Sequence, residues 1–202
     1  MSLPRYPDYK DSGVPWLGEL PGHWGIAPLL GVAQERDESN EGMKESNLLS
    51  LSYGRIVRKD MSSNDGLLPE SFETYQIVHP GDIVFRLTDL QNDQRSLRTA
   101  RVAETGIITS AYLAVIPTRI ESSYFAHLLR CYDVTKVFYS MGGGLRQSMK
   151  YADVKRLPVV VPPLEEQTAI AQFLDQETAK LDALIAEQGK LLALLAEKRQ
   201  AT

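Results

Sequence analysis

The stretch LPVVVPPLEEQTAIAQFLDQETAKLDALIAEQGKLLALLAEKRQ, residues 157–200, changes its character at the double proline of residues 162–163. A run of β-branched residues before the prolines predicts a short strand, and the Leu, Ala, Glu and Lys that dominate after them favour a helix. Glu165 and Glu166 lie near the start of that helix, and Lys198 and Arg199 near its end, where each charge complements the helix dipole. The sequence therefore predicts one continuous helix over residues 164–200.

The apolar residues of this helix recur with a spacing that alternates between four and three, which is typical of a coiled coil. The stripe consists of Ile170, Leu174, Leu181, Leu184, Leu191 and Leu195, and only Glu177 and Gln188 interrupt it. Phe173, Ile185, Leu192 and Leu194 widen the apolar face, which favours a second partner. At about 1.5 Å per residue the helix is roughly 55 Å long, so we expect it to project. The alternative is a helix folded back along its own domain.

Residues 1–161 have a mixed pattern that predicts a separate globular domain. Strand-like runs occur at residues 47–53, 75–78 and 83–85, and the turn sequence HPGD separates the second run from the third. A further run at residues 107–116 is one strand or two. Residues 122–141 have apolar side chains near helical spacing, with Ser122 or Ser123 as the N-cap. Strands followed by a helix, without regular βαβ alternation, indicate an α+β domain. We therefore divide the chain into an α+β domain, residues 1–161, and a helical region, residues 162–202.

The composition indicates a folded protein without a structural metal. The polar start has no signal-peptide core, and no apolar run reaches the roughly 18 residues that a membrane span needs, so we expect a cytoplasmic protein that does not contact a membrane. A single cysteine, Cys131, cannot form an internal disulfide, and the three histidines have no ligand spacing. We expect no metal and no cofactor.

The sequence carries no catalytic motif that the chemistry of an enzyme would require. Neither GxxxxGK[ST] nor GxSxG occurs, and Cys131 falls within a predicted helix. Asp82 with Asp153 and Lys155 is a weak candidate set for a metal-dependent nuclease. The simpler interpretation of Asp82, within HPGD, is that it is a turn residue.

Basic and amide side chains concentrate in three segments, although the net charge of the whole chain is −4. Arg pairs with guanine edges, Asn and Gln pair with adenine edges, and basic side chains contact phosphates. The glycines at residues 142–144 let the backbone pass close to a phosphate or a groove wall. We predict DNA contacts from Arg55, Arg58, Lys59, Arg86, Gln91, Asn92, Gln94, Arg95, Arg98, Arg101, Arg146, Gln147 and Lys150. The alternative is that these segments are solvated loops around a flexible hinge.

Four stretches resemble one protein family. They are YKDSGVPWLGELPGHW at residues 9–24, GDIVFRL at residues 81–87, ITSAYLAVIP at residues 108–117, and the run from LRQSMKYADVKRLP through PPLEEQ into the long helix. Together they resemble the specificity subunit of type I restriction–modification systems. The match covers both ends of the chain and parts of its middle.

The resemblance implies a non-catalytic subunit in which each target-recognition domain reads one half of a split sequence in double-stranded DNA. Each domain is followed by a long helix, and two such helices pack antiparallel as a spacer. The helices bind methyltransferase subunits, and restriction subunits join through that complex. The fold class that we expect is thus an α+β target-recognition domain followed by a long C-terminal α-helix in an antiparallel coiled coil.

Members of this family usually have two recognition domains, whereas this sequence has one. We therefore expect an N-terminal half of such a subunit, pairing with a second copy through its helix as a homodimer with twofold symmetry. Two alternatives stay open at this point. One is a small metal-dependent nuclease or DNA-modifying enzyme, and the other is a coiled-coil adaptor without DNA contact.

Overall fold

A computed structural model describes residues 5–59, 69, 71–90, 93, 95–141 and 148–200 of the chain. The strands within these ranges are β1 (Tyr9–Asp11), β2 (Glu19–Pro21), β3 (Gly25–Pro28), β4 (Ala33–Glu35), β5 (Leu49–Ser52), β6 (Arg55–Arg58), β7 (Gln76–Val78), β8 (Ile83–Phe85), β9 (Thr99–Arg101), β10 (Gly106–Ile108), β11 (Leu113–Pro117) and β12 (Pro158–Val161). The helices are α1 (Leu29–Val32), α2 (Ser122–Val134), α3 (Val137–Met141), α4 (Tyr151–Val154) and α5 (Leu164–Gln200). No described helix is both long enough and apolar enough to cross a membrane.

The strands of the first domain pair antiparallel throughout. Four of them form one sheet in the order β4-β11-β8-β9, and the others form the pairs β1-β2, β3-β12, β5-β6 and β7-β10. Helix α2 packs against β9, and its buried side chain Phe125 joins Phe85 of the sheet and Phe138 of α3 in the main core. This arrangement confirms the α+β class expected from the sequence.

The structure refines the predicted strands. The expected run at residues 107–116 is two strands, β10 and β11, and the run at residues 47–53 is β5, which forms a hairpin with β6. Strands β7 and β8 flank HPGD as expected, but each pairs elsewhere, β7 with β10 and β8 with β9 and β11. Side-chain patterns fix where strands occur, whereas the partners of β7 and β8 lie far along the chain and are chosen by the tertiary fold.

The helix predicted over residues 122–141 is broken into two. Lys136, between α2 and α3, has a φ of 64°, a left-handed conformation that ends a helix. The predicted N-cap is wrong, because Glu121 takes this position and its carboxylate accepts hydrogen bonds from the backbone N–H groups of Ser123 and Tyr124. A longer side chain one residue earlier thus performs the capping expected of a serine.

The junction at the double proline is held by two consecutive side chains of the first helical turn. The carboxylate of Glu166 accepts hydrogen bonds from Tyr6 Oη at 2.8 Å, Trp24 Nε1 at 3.0 Å and His23 Nε2 at 2.6 Å. Gln167 is buried and bonds with the backbone of Pro162 and of Glu121, which caps α2. The start of α5 is therefore tied both to the N-terminal segment and to α2.

We expect Glu166→Gln to lower the melting temperature near neutral pH, because a neutral amide accepts these hydrogen bonds less strongly than a carboxylate. The hydrogen bonds from Trp24 and Tyr6 hold the pKa of Glu166 below its ordinary value of 4.5. The carboxylate therefore stabilises the fold above pH 4.5 and loses this contribution as the pH falls through its folded-state pKa.

Thermal unfolding of wild type and variant across a pH series measures this effect, with the exposed neighbour substitution Glu165→Gln as the control. The difference between wild type and Glu166→Gln should shrink in acid. A difference of the same size at every pH contradicts the assignment.

Helix α5 extends over Leu164–Gln200, as predicted, and only its first part contacts the domain. Ala171 is buried, and Ile170, which we expected to face a partner, is partly buried against the main core of its own domain. Leu174 is half-buried. From Leu181 onward every described side chain is exposed, which confirms that the helix projects and excludes a helix folded back along its whole length.

Candidate nucleic-acid interface

Two of the polar segments singled out in the sequence are adjacent in the structure. The loop between β8 and β9, which we call the β8–β9 loop, comprises residues 86–98. Thr88 of this loop forms an antiparallel bridge with Ser148, and the backbone N–H of the buried Met149 donates to Leu87 O at 2.9 Å. The segment that follows the glycine-rich stretch is thus hydrogen bonded to the β8–β9 loop, and Lys150 comes directly after this contact.

Arg98 holds the β8–β9 loop from within. Its side chain is fully buried, and its guanidinium donates to Thr88 O at 2.9 Å, to Asp89 O at 3.3 Å, and to Asp93 O. It also donates from Nε to Tyr139 Oη at 3.1 Å. The structure therefore corrects the prediction that Arg98 contacts DNA, because its donors are already bound to carbonyl groups of its own loop.

Asp133 of α2 fixes the point at which the loop enters β9. It is buried, and its carboxylate accepts from Arg98 N at 2.9 Å, Thr99 N at 3.0 Å and Thr99 Oγ1 at 2.6 Å. Burial raises the pKa of Asp133, although the hydrogen bonds from Thr99 and Arg98 act against this rise. The sequence analysis missed this residue, since an acidic side chain within a helix does not indicate a distant partner.

Asp93 shapes the exposed part of the loop. Its carboxylate accepts from the backbone N–H groups of Arg95 at 3.2 Å and Ser96 at 3.0 Å. Hydrogen bonds from the Ser96 side chain and backbone lower the pKa of Asp93 to about 2, so it is ionised at neutral pH. The D-x-R-S spacing of an Asx turn is the signal from which the sequence could have assigned this role.

The remaining described candidates are at or near the surface. Arg95, Lys150 and Lys59 are exposed and Arg86 is partly buried; within the described ranges none of these four has a carboxylate partner. Three others are exposed and have partners: Arg55 pairs with Asp182, Arg58 with Glu104, and Arg101 donates to Ser122 Oγ. The candidates Gln91, Asn92, Gln94, Arg146 and Gln147 lie outside the described residues.

An open cleft of about 410 Å³ lies where the two segments meet. Its lining includes the polar side chains of Glu35, Thr88, Tyr112, Ser148, Lys150 and Tyr151. Hydroxyl groups, one ammonium group and one carboxylate offer both donors and acceptors to a polar ligand. The arrangement is suited to hydrogen bonding with base edges or phosphates.

The carboxylates of the nuclease hypothesis have structural roles instead. Asp82 is buried, and Arg36 donates to it from Nε at 3.0 Å and from Nη2 at 2.9 Å. It also accepts from His79 N at 2.8 Å, which is the turn contact predicted from HPGD. Asp153 accepts from Lys150 N at the start of α4. In the part of the chain that the structure describes, no group of three or more His, Cys, Asp or Glu residues has a geometry suited to a metal ion.

Comparison with protein families identifies the class. Residues 99–192, from β9 through most of α5, match the family model described as "Type I restriction modification DNA specificity domain". This segment of the chain therefore belongs to the type I restriction–modification DNA specificity domain family. No curated protein sequence matches the chain.

Solved structures show the same fold over almost the whole chain. A chain from a study of complex assembly and conformational transition in the type I R-M system is 19% identical, with a TM-score of 0.61, and the match covers 96% of this chain and 47% of that one. The HsdS subunit from Thermoanaerobacter tengcongensis is 18% identical, with a TM-score of 0.56 and coverages of 89% and 42%. The S subunit of the type I system from M. genitalium is 12% identical, with a TM-score of 0.55 and coverages of 86% and 44%.

These likenesses show that the domain and its long helix have the fold of such subunits. The chain spans less than half of the length of each of the three solved chains.

Proposed function

We propose that this chain is a non-catalytic DNA-specificity component of a type I restriction–modification enzyme and that its domain reads one half of a bipartite target in double-stranded DNA. The observation that carries the proposal is the Thr88–Ser148 bridge, which brings two basic segments together in a chain that matches the DNA specificity family. Exposed Arg95 and Lys150 then lie on adjoining segments, available to phosphates or base edges. Such a role requires access to the DNA of the cell, so we propose a cytoplasmic protein.

The proposal extends to the partners of helix α5. Between Leu181 and Leu195 the large apolar side chains are 50–68% exposed, far more than a helix with no partner usually presents. We propose that one part of this face pairs antiparallel with the equivalent helix of a second copy. A second part binds the methyltransferase subunits, through which restriction subunits join.

Lys150→Ala should weaken binding to duplex DNA of mixed sequence and reduce the dependence of log K on log[salt] by about one unit, as the loss of one phosphate contact does. Lys190→Ala, which removes the same charge from the projecting helix, is the matched control. Fluorescence anisotropy over a salt series between about 50 and 200 mM measures both quantities. If the two variants have the same affinity and salt slope, Lys150 does not contact DNA.

The rival functions predict different results. A nuclease or modifying enzyme turns over DNA with Mg²⁺ or a methyl donor in the absence of other subunits, whereas the proposed role predicts no turnover. A coiled-coil adaptor leaves DNA binding by the methyltransferase subunits unchanged when this chain is added. Measuring that binding with and without the chain therefore tests the proposed function directly.

A further inference from the structure

A second basic cleft lies between the β5–β6 hairpin, α2 and the first half of α5. Its volume is about 560 Å³. Three arginines and one histidine from three different elements line it, and these are Arg55, Arg101, Arg130 and His127. Leu97 of the β8–β9 loop also lines this cleft, but the cleft shares no lining residue with the one at Lys150.

Helix α5 contributes two carboxylates to the lining of the cleft. Asp175 and Asp182 are seven residues apart, about two helical turns, and so lie on one face of the helix. Asp182 accepts two hydrogen bonds from Arg55 Nη2, at 2.6 and 2.7 Å. Asp175 accepts from His127 Nε2 at 2.7 Å and from Ser123 Oγ at 2.8 Å.

The charge of Asp175 is stabilised in this position. Partial burial alone would raise the pKa of its carboxyl group, but the hydrogen bonds from His127 and Ser123, together with the charge of Arg101, outweigh burial and lower it. Helix α5 therefore places negative charge on the cationic side of the domain. The two carboxylates of α5 therefore lie where the basic side chains of the cleft would otherwise attract an anion from solution.

The hairpin that presents Arg55 has a fixed conformation. Its turn residues Tyr53 and Gly54 have φ values of 45° and 75°, which suit a tight two-residue turn. Arg130 of α2 lies beneath the turn and donates to Gly54 O. A Cβ on Gly54 would overlap the end of the Arg130 side chain, which is flexible and can shift, so it is the φ of 75° that favours glycine here.

We propose that this cleft is a binding site for phosphates of the DNA backbone, and that Asp182 occupies it in the free protein as a substitute for a phosphate. On DNA binding, Arg55 exchanges the Asp182 carboxylate for a phosphate oxygen, and Arg101 contacts the same stretch of backbone. This inference rests on the proposed function. It adds a second DNA contact, for which a carboxylate of the same chain competes with the phosphate.

The exposure of the Arg55–Asp182 ion pair favours exchange of the carboxylate for a phosphate. The side chains of Arg55 and Asp182 are 69% and 53% exposed, and an ion pair this exposed changes an equilibrium by a factor of at most about five. A phosphate contact also releases a counterion from the DNA, which the contact with Asp182 does not do. Arginine binds carboxylate and phosphate oxygens with the same N–H donors, so a phosphate oxygen can replace the Asp182 carboxylate as the acceptor for Arg55 Nη2.

Asp182→Asn distinguishes this role from a purely structural contact between helix and domain. If Asp182 competes with phosphate, its loss should tighten binding to a fluorescein-labelled duplex of mixed sequence by about two- to fivefold. Glu197→Gln removes the same charge from an exposed position on the same helix and serves as the control. In an Arg55→Gln background, Asp182→Asn should have no more effect than Glu197→Gln, since the group that it releases is absent.

Equal affinities for Asp182→Asn and Glu197→Gln overturn the inference, and so does weaker binding by Asp182→Asn, which a structural contact predicts. In either case duplex binding by the wild type leaves the proposed function intact. Absence of duplex binding by the wild type overturns both.

Discussion

The double variant Leu184→Glu, Leu191→Glu should be monomeric at concentrations at which the wild-type chain self-associates. The two leucines are 56% and 57% exposed in the single chain, and they lie seven residues apart on the same face of α5. Burying a leucine side chain contributes about 1.5–3 kcal/mol, and a twofold interface contains each residue twice. The substitutions also introduce charges that the interface would have to bury without partners. We therefore expect the dissociation constant to rise by more than about a hundredfold.

Sedimentation equilibrium of both chains measures this effect. Ala186→Glu with Ala193→Glu is the matched control, because it adds the same two charges at the same spacing on the opposite face of the helix. This control should self-associate as the wild type does. A wild-type chain that stays monomeric at high concentration contradicts pairing between copies, and the apolar face must then serve another subunit alone.

Arg98→Met should destabilise the domain by about 3–5 kcal/mol, because it removes the guanidinium that satisfies three carbonyl groups of the β8–β9 loop. Methionine fills much of the volume but donates no hydrogen bond. The loop is also joined through Leu87 to the segment that carries Lys150, so DNA binding should fall together with stability. Chemical unfolding gives the free energy, and anisotropy with duplex DNA gives the affinity.

Arg95→Met in the same loop is the control for this prediction. Arg95 is exposed, so its replacement should change the free energy of unfolding by no more than about 0.5 kcal/mol while still weakening DNA binding. Equal stability losses in the two variants would show that burial does not distinguish these arginines. A stable Arg98→Met variant with unchanged DNA affinity would show that Arg98 does not hold the β8–β9 loop in place for DNA binding.

The β8–β9 loop shows which features of a candidate site the types of its side chains can predict. The sequence indicated that residues 86–101 are rich in groups that contact DNA, and the structure places Arg95 and Arg101 of this run at the surface. The sequence did not distinguish Arg95 from Arg98, because the two residues are of the same type and have similar neighbours. The difference arises from Asp133 and Tyr139, which lie more than thirty residues further along the chain. The Asp133 carboxylate accepts from the backbone N–H of Arg98, and Tyr139 Oη accepts from its Nε.

Helix α5 was determined by the sequence almost alone. Its limits follow from the double proline, the acidic first turn and the spacing of leucines, all of which are local signals that act within a few residues. The same local signals could not show that Ile170 packs on the domain while Leu184 projects, since both occupy the same stripe.

Tertiary structure alone decided the contacts between distant segments. Glu166 joins Tyr6, Asp182 joins Arg55, and Ser148 joins Thr88 over separations of 160, 127 and 60 residues. Periodicity and capping arise from backbone geometry within one helix or strand, so a sequence contains them explicitly. A hydrogen bond between remote residues depends instead on the packing that brings their backbones together, and only the folded chain specifies that packing.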